Sequence, residues 1–351
     1  MSFSQKIDLH SHWFSPRVTQ LLLDKQKGIR FLRTKDKIWL DRQSNDALPH
    51  FFELGPQWFD IQLRIEHLQQ HQIQRQLISW PTTLDIDVYI SKDESISLSQ
   101  TYNDDLAELI QQHPNQFSGL AYLSTSNLDH AQFELNRAHK TLGLFGGVLP
   151  IGVLSTSASA QQLKDLFHTA NALKSHIYLH AGFGHSNIHN QIYLEHSGQI
   201  SKETHLLNTS YVFASTVFTL LFTDFLDAYP DVTIQIAMLG GAAAFSLLIE
   251  QFRTKPERYG EHENYQRRLK QLYFDTGASG DGTIAIETLA KIVGTEQIVF
   301  GTDYAPVPSV QPIIQNIENT HLTLEQKQQI YFHNANHLFK DKGLSNHLKI
   351  A

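Results

Sequence analysis

The chain of 351 residues contains no cysteine. Disulfide bonds and thiolate chemistry are therefore excluded, and a metal ion would have to be bound by histidine and carboxylate side chains. No apolar run reaches the roughly 18 residues that cross a bilayer. No charged-then-apolar signal pattern precedes the first predicted strand. We therefore expect a cytoplasmic protein without a membrane partner, although the lack of cysteine would also suit an oxidising compartment.

Positive charge is also scarce. Acidic residues outnumber basic ones, giving a formal net charge of −7 at pH 7, and the chain has no dense run of Lys and Arg. Such runs are typical of proteins that bind nucleic acid or an anionic membrane surface, so neither partner is expected. A Gly-x-Gly-x-x-Gly or phosphate loop follows none of the predicted strands, which weighs against a nucleotide-binding fold.

Eight apolar segments with strand character alternate with helical segments. Continuous apolar strands are typical of a parallel sheet covered by helices, and the count of eight favours a closed (β/α)8 barrel, the TIM barrel, over an open sheet. A hydrophobic content of 41% is sufficient for one large core, so residues 1–351 are predicted to form a single domain. The predicted strands are residues 6–12, 75–80, 117–123, 144–150, 175–180, 232–237, 271–275 and 297–301.

The connections contain helices and three insertions, which follow the first, fifth and sixth strands. The first insertion, residues 13–57, has no clean period and is predicted to lie over the barrel mouth. Thr323 and Gln326 form a capping box that opens a C-terminal helix. Further helices are predicted at residues 59–72, 95–113, 128–141, 160–174, 208–229 and 283–293, and after Gly241.

His10 and His12 lie two positions apart on the first strand and therefore point to the same face. Two imidazoles that converge at a strand end are half of a divalent-metal site. The spacing alone is weak evidence, because 20 histidines in 351 residues produce about one His-x-His by chance.

Two further candidate ligands end other strands. His180 ends the fifth strand and Asp303 follows the eighth, and the reactive groups of such barrels lie at the carboxyl ends of the strands. Taken singly, a histidine there is more often a hydrogen-bonded rim residue, and an aspartate is more often a turn or N-cap residue. Together with His10 and His12 they predict a mononuclear site for one divalent ion, Zn²⁺ first and Mn²⁺ as the alternative.

These motifs resemble the amidohydrolase superfamily, in the branch that contains aminocarboxymuconate-semialdehyde decarboxylase and 6-methylsalicylate decarboxylase. The resemblance implies a TIM barrel, commonly a homodimer, in which His10, His12, His180 and Asp303 bind one zinc or manganese ion. It also implies that Asp303 is a proton shuttle. The motifs that carry the resemblance are Ile-Asp-Leu-His-Ser-His12, His113-Pro-Asn-Gln-Phe117, Leu179-His180, Ala228-Tyr-Pro-Asp-Val232, Gly240-Gly241, Gly301-Thr-Asp-Tyr304 and Asn334-Ala-Asn-His-Leu-Phe339.

The sequence departs from the pattern of this branch at positions that act on metal-bound water or bind the substrate carboxylate. Met238 occupies the place of a histidine that acts on metal-bound water, and a thioether neither accepts nor delivers a proton at neutral pH. Gln251 aligns where relatives often have a carboxylate-binding arginine, and Phe51 to Trp58 also lacks an arginine. Met238, Gln251 and His185, a histidine of the loop after the fifth strand, are the candidate substrate-binding residues.

Two other roles follow from position. Arg30, Arg33 or Arg42 of the first insertion could supply the missing acid-binding group, although each is more often a solvated surface charge. Asp275, which ends the seventh strand, could hydrogen-bond a ligand histidine or, equally, orient the barrel rim through backbone contacts.

The leading functional hypothesis is metal-dependent, non-oxidative decarboxylation of a small aromatic or conjugated acid, with Asp303 as proton donor. The alternative is hydrolysis of a C–N, C–O or C–C bond by metal-bound hydroxide with Asp303 as base. A second alternative is a catalytically weakened relative that binds a small molecule. In each case the expected partner is a small molecule.

Overall fold

A computed structural model describes residues 5–42, 51–193, 202–242, 245–259, 264–277 and 282–344. The described strands are β1 (Lys6–His12), β2 (Arg30–Thr34), β3 (Lys37–Asp41), β4 (Phe51–Leu54), β5 (Ile73–Ser79), β6 (Phe117–Gly119), β7 (Ala121–Tyr122), β8 (Gly146–Pro150), β9 (His176–His180), β10 (Thr233–Ile236), β11 (Leu272–Asp275) and β12 (Ile298–Val299).

The helices of the described residues alternate with the barrel strands. They are α1 (Pro16–Asp24), α2 (Ile61–Gln70), α3 (Lys92–Gln112), α4 (Leu128–Arg137), α5 (Ser157–Ala160), α6 (Lys164–Ala172), α7 (Lys202–Phe222), α8 (Met238–Ala242), α9 (Ser246–Thr254), α10 (Pro256–Tyr259), α11 (Tyr265–Leu269), α12 (Gly282–Val293), α13 (Gln311–Glu318), α14 (Leu324–Gln328) and α15 (Asn334–Asp341). The segment α8 is not a regular α-helix, because Leu239, Gly240 and Gly241 have left-handed backbone angles. None of the described helices combines the length and the apolar composition that crossing a membrane requires.

The parallel strands form a closed ring. One sheet has the order β1-β5-β6 and a second has the order β7-β8-β9-β10-β11-β12. Leu120 joins them, because it separates β6 from β7 and its N–H donates to Ile78 O at 3.0 Å. The other seam is closed where Leu9 N donates to Phe300 O at 2.9 Å and Ser11 forms a parallel bridge with Tyr304. The predicted (β/α)8 barrel is therefore confirmed.

Burial explains why the strand predictions succeed. Every residue of β1, β8, β9 and β11 is buried, as expected for parallel strands that face both the barrel interior and the helices. The capping box is confirmed as well, since the Thr323 side chain accepts from Gln326 N and the Gln326 side chain accepts from Thr323 N.

The predicted helices differ from the observed ones mainly at their ends. The segment predicted at 160–174 is divided into α5, a short 3₁₀ turn and α6. The segment predicted at 128–141 is helical to Arg137 and continues as a π-helical turn over Ala138–Leu142. The helix predicted through residue 229 ends at Phe222.

The first insertion has more regular structure than its sequence predicts. Ser15 caps α1, and its side chain accepts from Val18 N. The antiparallel sheet β2-β3-β4 follows, with Leu40 opposite Phe52; residues 43–50 lie outside the described residues. Phe14 N donates to Trp58 O at 2.9 Å. The division of the chain into one domain with an insertion over the mouth stays a prediction.

Candidate metal centre

Four side chains from three strand ends converge at the carboxyl side of the barrel. His10 and His12 end β1, His180 ends β9, and Asp303 follows β12, and one ligand atom from each lies within 4.8 Å of the others. The three histidines are at most 2% exposed, whereas the Asp303 side chain is 13% exposed. We call these four residues the His–Asp cluster, and its accessible side is the side of Asp303.

The tautomer of His12 follows from its partner. Its Nδ1 lies 3.1 Å from the carbonyl oxygen of Ser79. Because a carbonyl oxygen only accepts hydrogen bonds, Nδ1 must be the protonated donor. The neutral ring therefore has its lone pair on Nε2, which faces the interior of the cluster.

The same reasoning applies to His180. Its Nδ1 lies 3.0 Å from Thr82 Oγ1, and the Thr82 hydroxyl donates its hydrogen to Ala181 O at 2.7 Å. The hydroxyl oxygen must then accept from His180, so the lone pair of His180 is also on Nε2.

His10 is held by a carboxylate. Its Nδ1 donates to Asp275 Oδ1 at 2.9 Å, and Asp275 also accepts from Gln235 Nε2 at 2.7 Å and from Gly277 N at 2.9 Å. A side chain at position 277 would have no room, because its Cβ would lie 2.0 Å from His10 Nδ1. The expected contact between Asp275 and a candidate ligand histidine is therefore present, and it orients His10.

The inner atoms of the cluster have no hydrogen-bond partner. Asp303 Oδ1 lies 3.2 Å from His10 Nε2 and 3.3 Å from His12 Nε2, yet none of these three buried atoms makes a hydrogen bond of acceptable geometry. Around an ion about 2.0–2.2 Å from each ligand atom, neighbouring ligand atoms are about 3.0–3.5 Å apart. The spacing therefore fits a cation between these atoms.

The electrostatics of the cluster favour a positive charge inside it. Burial lowers the pKa of His10, but the Asp275 and Asp303 carboxylates outweigh it and raise the pKa to about 10. Burial lowers the pKa of His12, and burial with the neighbouring histidines holds the pKa of His180 well below its usual value. Burial would raise the pKa of Asp303, but His10 and His12 lower it overall. Without a metal, one proton on His10 balances the Asp303 carboxylate.

Asp8 is a supporting residue that the sequence analysis did not identify. Its Oδ1 accepts from His10 N and from Thr302 N, each at 3.0 Å, and its Oδ2 accepts from Gln76 Nε2 at 2.7 Å. This buried carboxylate ties β1 to the segment that carries Asp303. The available signal was an acidic residue two positions before His10, between the apolar residues Ile7 and Leu9 of a buried strand.

The three candidate substrate-binding residues lie in different segments: Met238 in α8, Gln251 in α9 and His185 in the connection from β9 to α7. Met238 has a left-handed backbone with φ of 55°, and its N–H donates to Asp275 Oδ1 at 3.3 Å, so it adjoins the cluster through its backbone. Gln251 is exposed on α9. His185 lines a cavity of about 460 Å³ with Lys27 and Tyr89, and the site that these candidates form stays a prediction.

The arginines of the first insertion have different surroundings. Arg30 pairs with Asp41 at 3.0 Å, and Arg33 is exposed. Arg42 is half-buried and donates to Thr83 O at 3.3 Å, next to the threonine that accepts from His180. Of the three, Arg42 is therefore bonded nearest to the cluster.

Comparison with known proteins gives the family. The sequence profile of the amidohydrolase family matches residues 86–340. The chain is similar to gamma-resorcylate decarboxylase of Polaromonas sp., with 25% identity over 305 residues that cover 82% of this chain and 90% of that protein. It is also similar to 2-amino-3-carboxymuconate-6-semialdehyde decarboxylase of Dictyostelium discoideum, with 23% identity over 317 residues that cover 87% and 82%.

A solved structure has the same fold. The crystal structure of a dihydroxybenzoic acid decarboxylase from Polaromonas sp., with bound manganese and the inhibitor 2-nitroresorcinol, matches with a TM-score of 0.66 at 20% identity over 97% of each chain. The resemblance expected from the motifs is thus confirmed, and the chain belongs to the amidohydrolase family.

Proposed function

We propose that the His–Asp cluster binds one divalent cation and that the protein is a non-oxidative decarboxylase of a small aromatic or conjugated carboxylic acid. The observation that carries the metal site is the convergence of unpartnered imidazole Nε2 atoms and Asp303 Oδ1 in a buried space. Leaving such atoms without partners is costly, and a cation would pair all of them at once.

The reaction class is supported by the similar proteins. Both named relatives are decarboxylases, and the similar crystal structure is of a dihydroxybenzoic acid decarboxylase that holds manganese. Three histidines and one carboxylate suit either zinc or manganese, so the ion is left to measurement.

A cation in the cluster supplies a Lewis acid and a template for a carboxylate and an adjacent oxygen of the substrate. The three buried histidines exclude water from three sides, and Asp303 faces the open side. Since the Asp303 carboxylate is ionised before substrate arrives, it takes a proton from a substrate hydroxyl or from solvent. It then delivers this proton to the ring carbon, where breaking the bond to carbon dioxide leaves an electron pair.

Hydrolysis is the second candidate, and one observation favours it. The lowered pKa of Asp303 keeps its carboxylate ionised at neutral pH, and the ionised form is the one that can accept a proton from water. Among the described residues, the cluster contains no second carboxylate, so Asp303 alone would replace the histidine that relatives have where Met238 stands.

The test combines metal analysis with a substrate panel. We expect about one Mn²⁺ or Zn²⁺ per chain, and release of carbon dioxide from one or more hydroxybenzoates. Asp303→Asn should lower the rate by about 10²–10⁴-fold, because it removes the proton donor. The matched control is Asp93→Asn, which changes an exposed aspartate of α3.

The outcomes separate the hypotheses. Turnover of amides or lactones without carbon dioxide release would favour the hydrolase. Metal binding with no turnover of either panel would favour a small-molecule-binding relative. A chain that takes up neither ion contradicts both enzymatic functions.

A homodimer is part of the proposal. Apolar side chains are exposed on α7 and α9, including Leu206, Leu207, Tyr211 and Leu247, with exposed fractions from 44% to 76%. Exposed apolar patches of this kind are typical of protein interfaces. Light scattering during size-exclusion chromatography measures the oligomeric state directly.

A further inference from the structure

A chain of buried hydrogen bonds leads from the deep end of the barrel to His10. His176 Nε2 lies 3.2 Å from Gln235 Oε1, Gln235 Nε2 lies 2.7 Å from Asp275 Oδ2, and Asp275 Oδ1 accepts from His10 at 2.9 Å. All four side chains have no exposed surface. We call His176, Gln235 and Asp275 the relay.

The direction of each hydrogen bond in the relay is determined by its neighbours. Gln235 Nε2 donates both to Asp275 and to Leu9 O at 2.9 Å, so both amide hydrogens are used and Oε1 must accept. His176 Nε2 is therefore the protonated donor. Its Nδ1 accepts from the Thr233 hydroxyl at 2.9 Å, which agrees with a neutral ring whose hydrogen is on Nε2.

Three neighbours hold the Gln235 amide in this orientation: Leu9 O and Asp275 Oδ2 accept from its Nε2, and His176 donates to Oε1, which would otherwise be buried with no donor. A flipped amide would place Oε1 against Leu9 O and Asp275 Oδ2, two groups that only accept hydrogen bonds. Asp275 would lose a donor, and the ring of His10 would lose a fixed partner.

We propose that His176 and Gln235 are positioning residues of the metal site, which orient Asp275 so that His10 presents Nε2 to the cation; this inference rests on the proposed metal site. The two residues touch no ligand atom of the His–Asp cluster. They act through two further hydrogen bonds, one from Gln235 on β10 to Asp275 on β11 and one from His176 on β9 to Gln235. These bonds add to the support of a ligand histidine.

The relay is insensitive to pH over the working range. Burial, with the charge of Lys342, lowers the pKa of His176 to about 3. The ring therefore stays neutral, and its single N–H remains available to Gln235. A purely apolar barrel interior would avoid the cost of burying these polar groups, which argues that the relay has a role beyond packing.

The experiment measures metal binding rather than turnover. Gln235→Met removes both N–H donors with little change of shape, His176→Leu removes the ring N–H, and His176→Gln restores a side-chain N–H. His139→Leu is the matched control, because His139 bonds Ser175 Oγ at 2.8 Å and lies outside the relay. Mn²⁺ affinity is measured by calorimetry, and the ligand field is monitored by the visible spectrum of the Co²⁺-loaded protein.

We expect Gln235→Met to raise the Kd for Mn²⁺ by about 10–100-fold and His176→Leu by about tenfold, both with an altered Co²⁺ spectrum. His176→Gln should recover most of the affinity, and His139→Leu should leave it unchanged. The double variant Gln235→Met/His176→Leu should be no weaker than Gln235→Met alone, since both remove the same support.

The controls distinguish two kinds of failure. If the unaltered protein binds Mn²⁺ and both relay variants bind it equally well with an unchanged Co²⁺ spectrum, the positioning role is wrong and the metal site stands. If the unaltered protein binds neither Mn²⁺ nor Co²⁺, the proposed metal site is wrong and the relay inference is overturned with it. Should His176→Leu fail to fold, Gln235→Met and His176→Gln decide between the same outcomes.

Discussion

His10 is the residue at which a proton and a metal ion compete. Its Nδ1 is bonded to Asp275, so only Nε2 is available to either cation. Because the two carboxylates outweigh burial and raise its pKa to about 10, the metal-free ring retains its second proton near neutral pH. His12 and His180, whose pKa values are lowered by burial, are already neutral.

The first prediction at this scale is a proton count. Between pH 7 and pH 9, binding of Mn²⁺ should release about one proton per ion, because His10 must give up the proton on Nε2. Calorimetry in buffers of different ionisation enthalpy measures this number. Asp275→Asn should reduce it, since loss of that carboxylate lowers the pKa of His10. Binding at pH 8 without proton release would show that His10 is neutral or is not a ligand.

Met238 is the position at which we expect a substitution to distinguish hydrolysis from decarboxylation. Its backbone N–H donates to Asp275, and this contact does not depend on the side chain at position 238. Met238→His should therefore leave the contact in place while adding a group that accepts protons at neutral pH. We expect hydrolytic turnover of an amide or lactone panel to rise by about 10²-fold, at the lower end of what a general base contributes. Met238→Leu is the control, and equal turnover of the two variants would show that position 238 is remote from the chemistry.

At the scale of elements, the barrel strands were predictable and the first insertion was not. Strands such as β9 and β11 are buried on both faces, so their apolar runs are continuous and easily recognised. In β2 and β3 the burial alternates only in part, and exposed charged residues mask the period of two. Ser15 and Pro16 form a standard helix start, and that signal could have located α1.

The candidate site was predictable in its inner members and in Asp275, but not in its other supporting residues. The rule that reactive groups lie at the carboxyl ends of barrel strands led to the His–Asp cluster, because those residues occupy that position in the sequence. The supporting residues lie far apart in the chain, for example Thr82 and His180, which are 98 residues apart. Their contacts depend on how neighbouring strands are aligned, and the sequence patterns do not define that alignment.

At the scale of the whole molecule, the cluster connects the first and the last strand of the barrel. His10 lies on β1, Asp303 follows β12, and Asp303 N donates to His10 O at 2.9 Å at the seam where the ring closes. A cation bound across this seam binds the folded state and not the unfolded chain, so it should raise the stability of the entire barrel.

The last prediction combines this stabilisation by metal binding with the protonation states of His10 and Asp303. The pKa of His10 is raised from 6.5 to about 10, so the stability that its proton contributes to the metal-free protein is complete below pH 6.5 and is lost as pH rises to 10. The lowered pKa of Asp303 acts only in acid, since its contribution is present above pH 3.8 and is lost below it. From pH 7 to pH 9 the metal-free form should therefore become less stable, while the Mn²⁺ form gains affinity for its ion.

The difference in Tm between the Mn²⁺-loaded and the chelator-treated protein should consequently increase with pH. At a free Mn²⁺ concentration of 100 times Kd, binding contributes about 2.7 kcal/mol, and release of one proton adds about 1.4 kcal/mol for each pH unit at constant free Mn²⁺. Differential scanning fluorimetry at pH 7, 8 and 9 measures the trend. His10→Ala should abolish both the difference and its pH dependence, whereas an unchanged Tm difference across this range would contradict a proton held on His10 in the metal-free barrel.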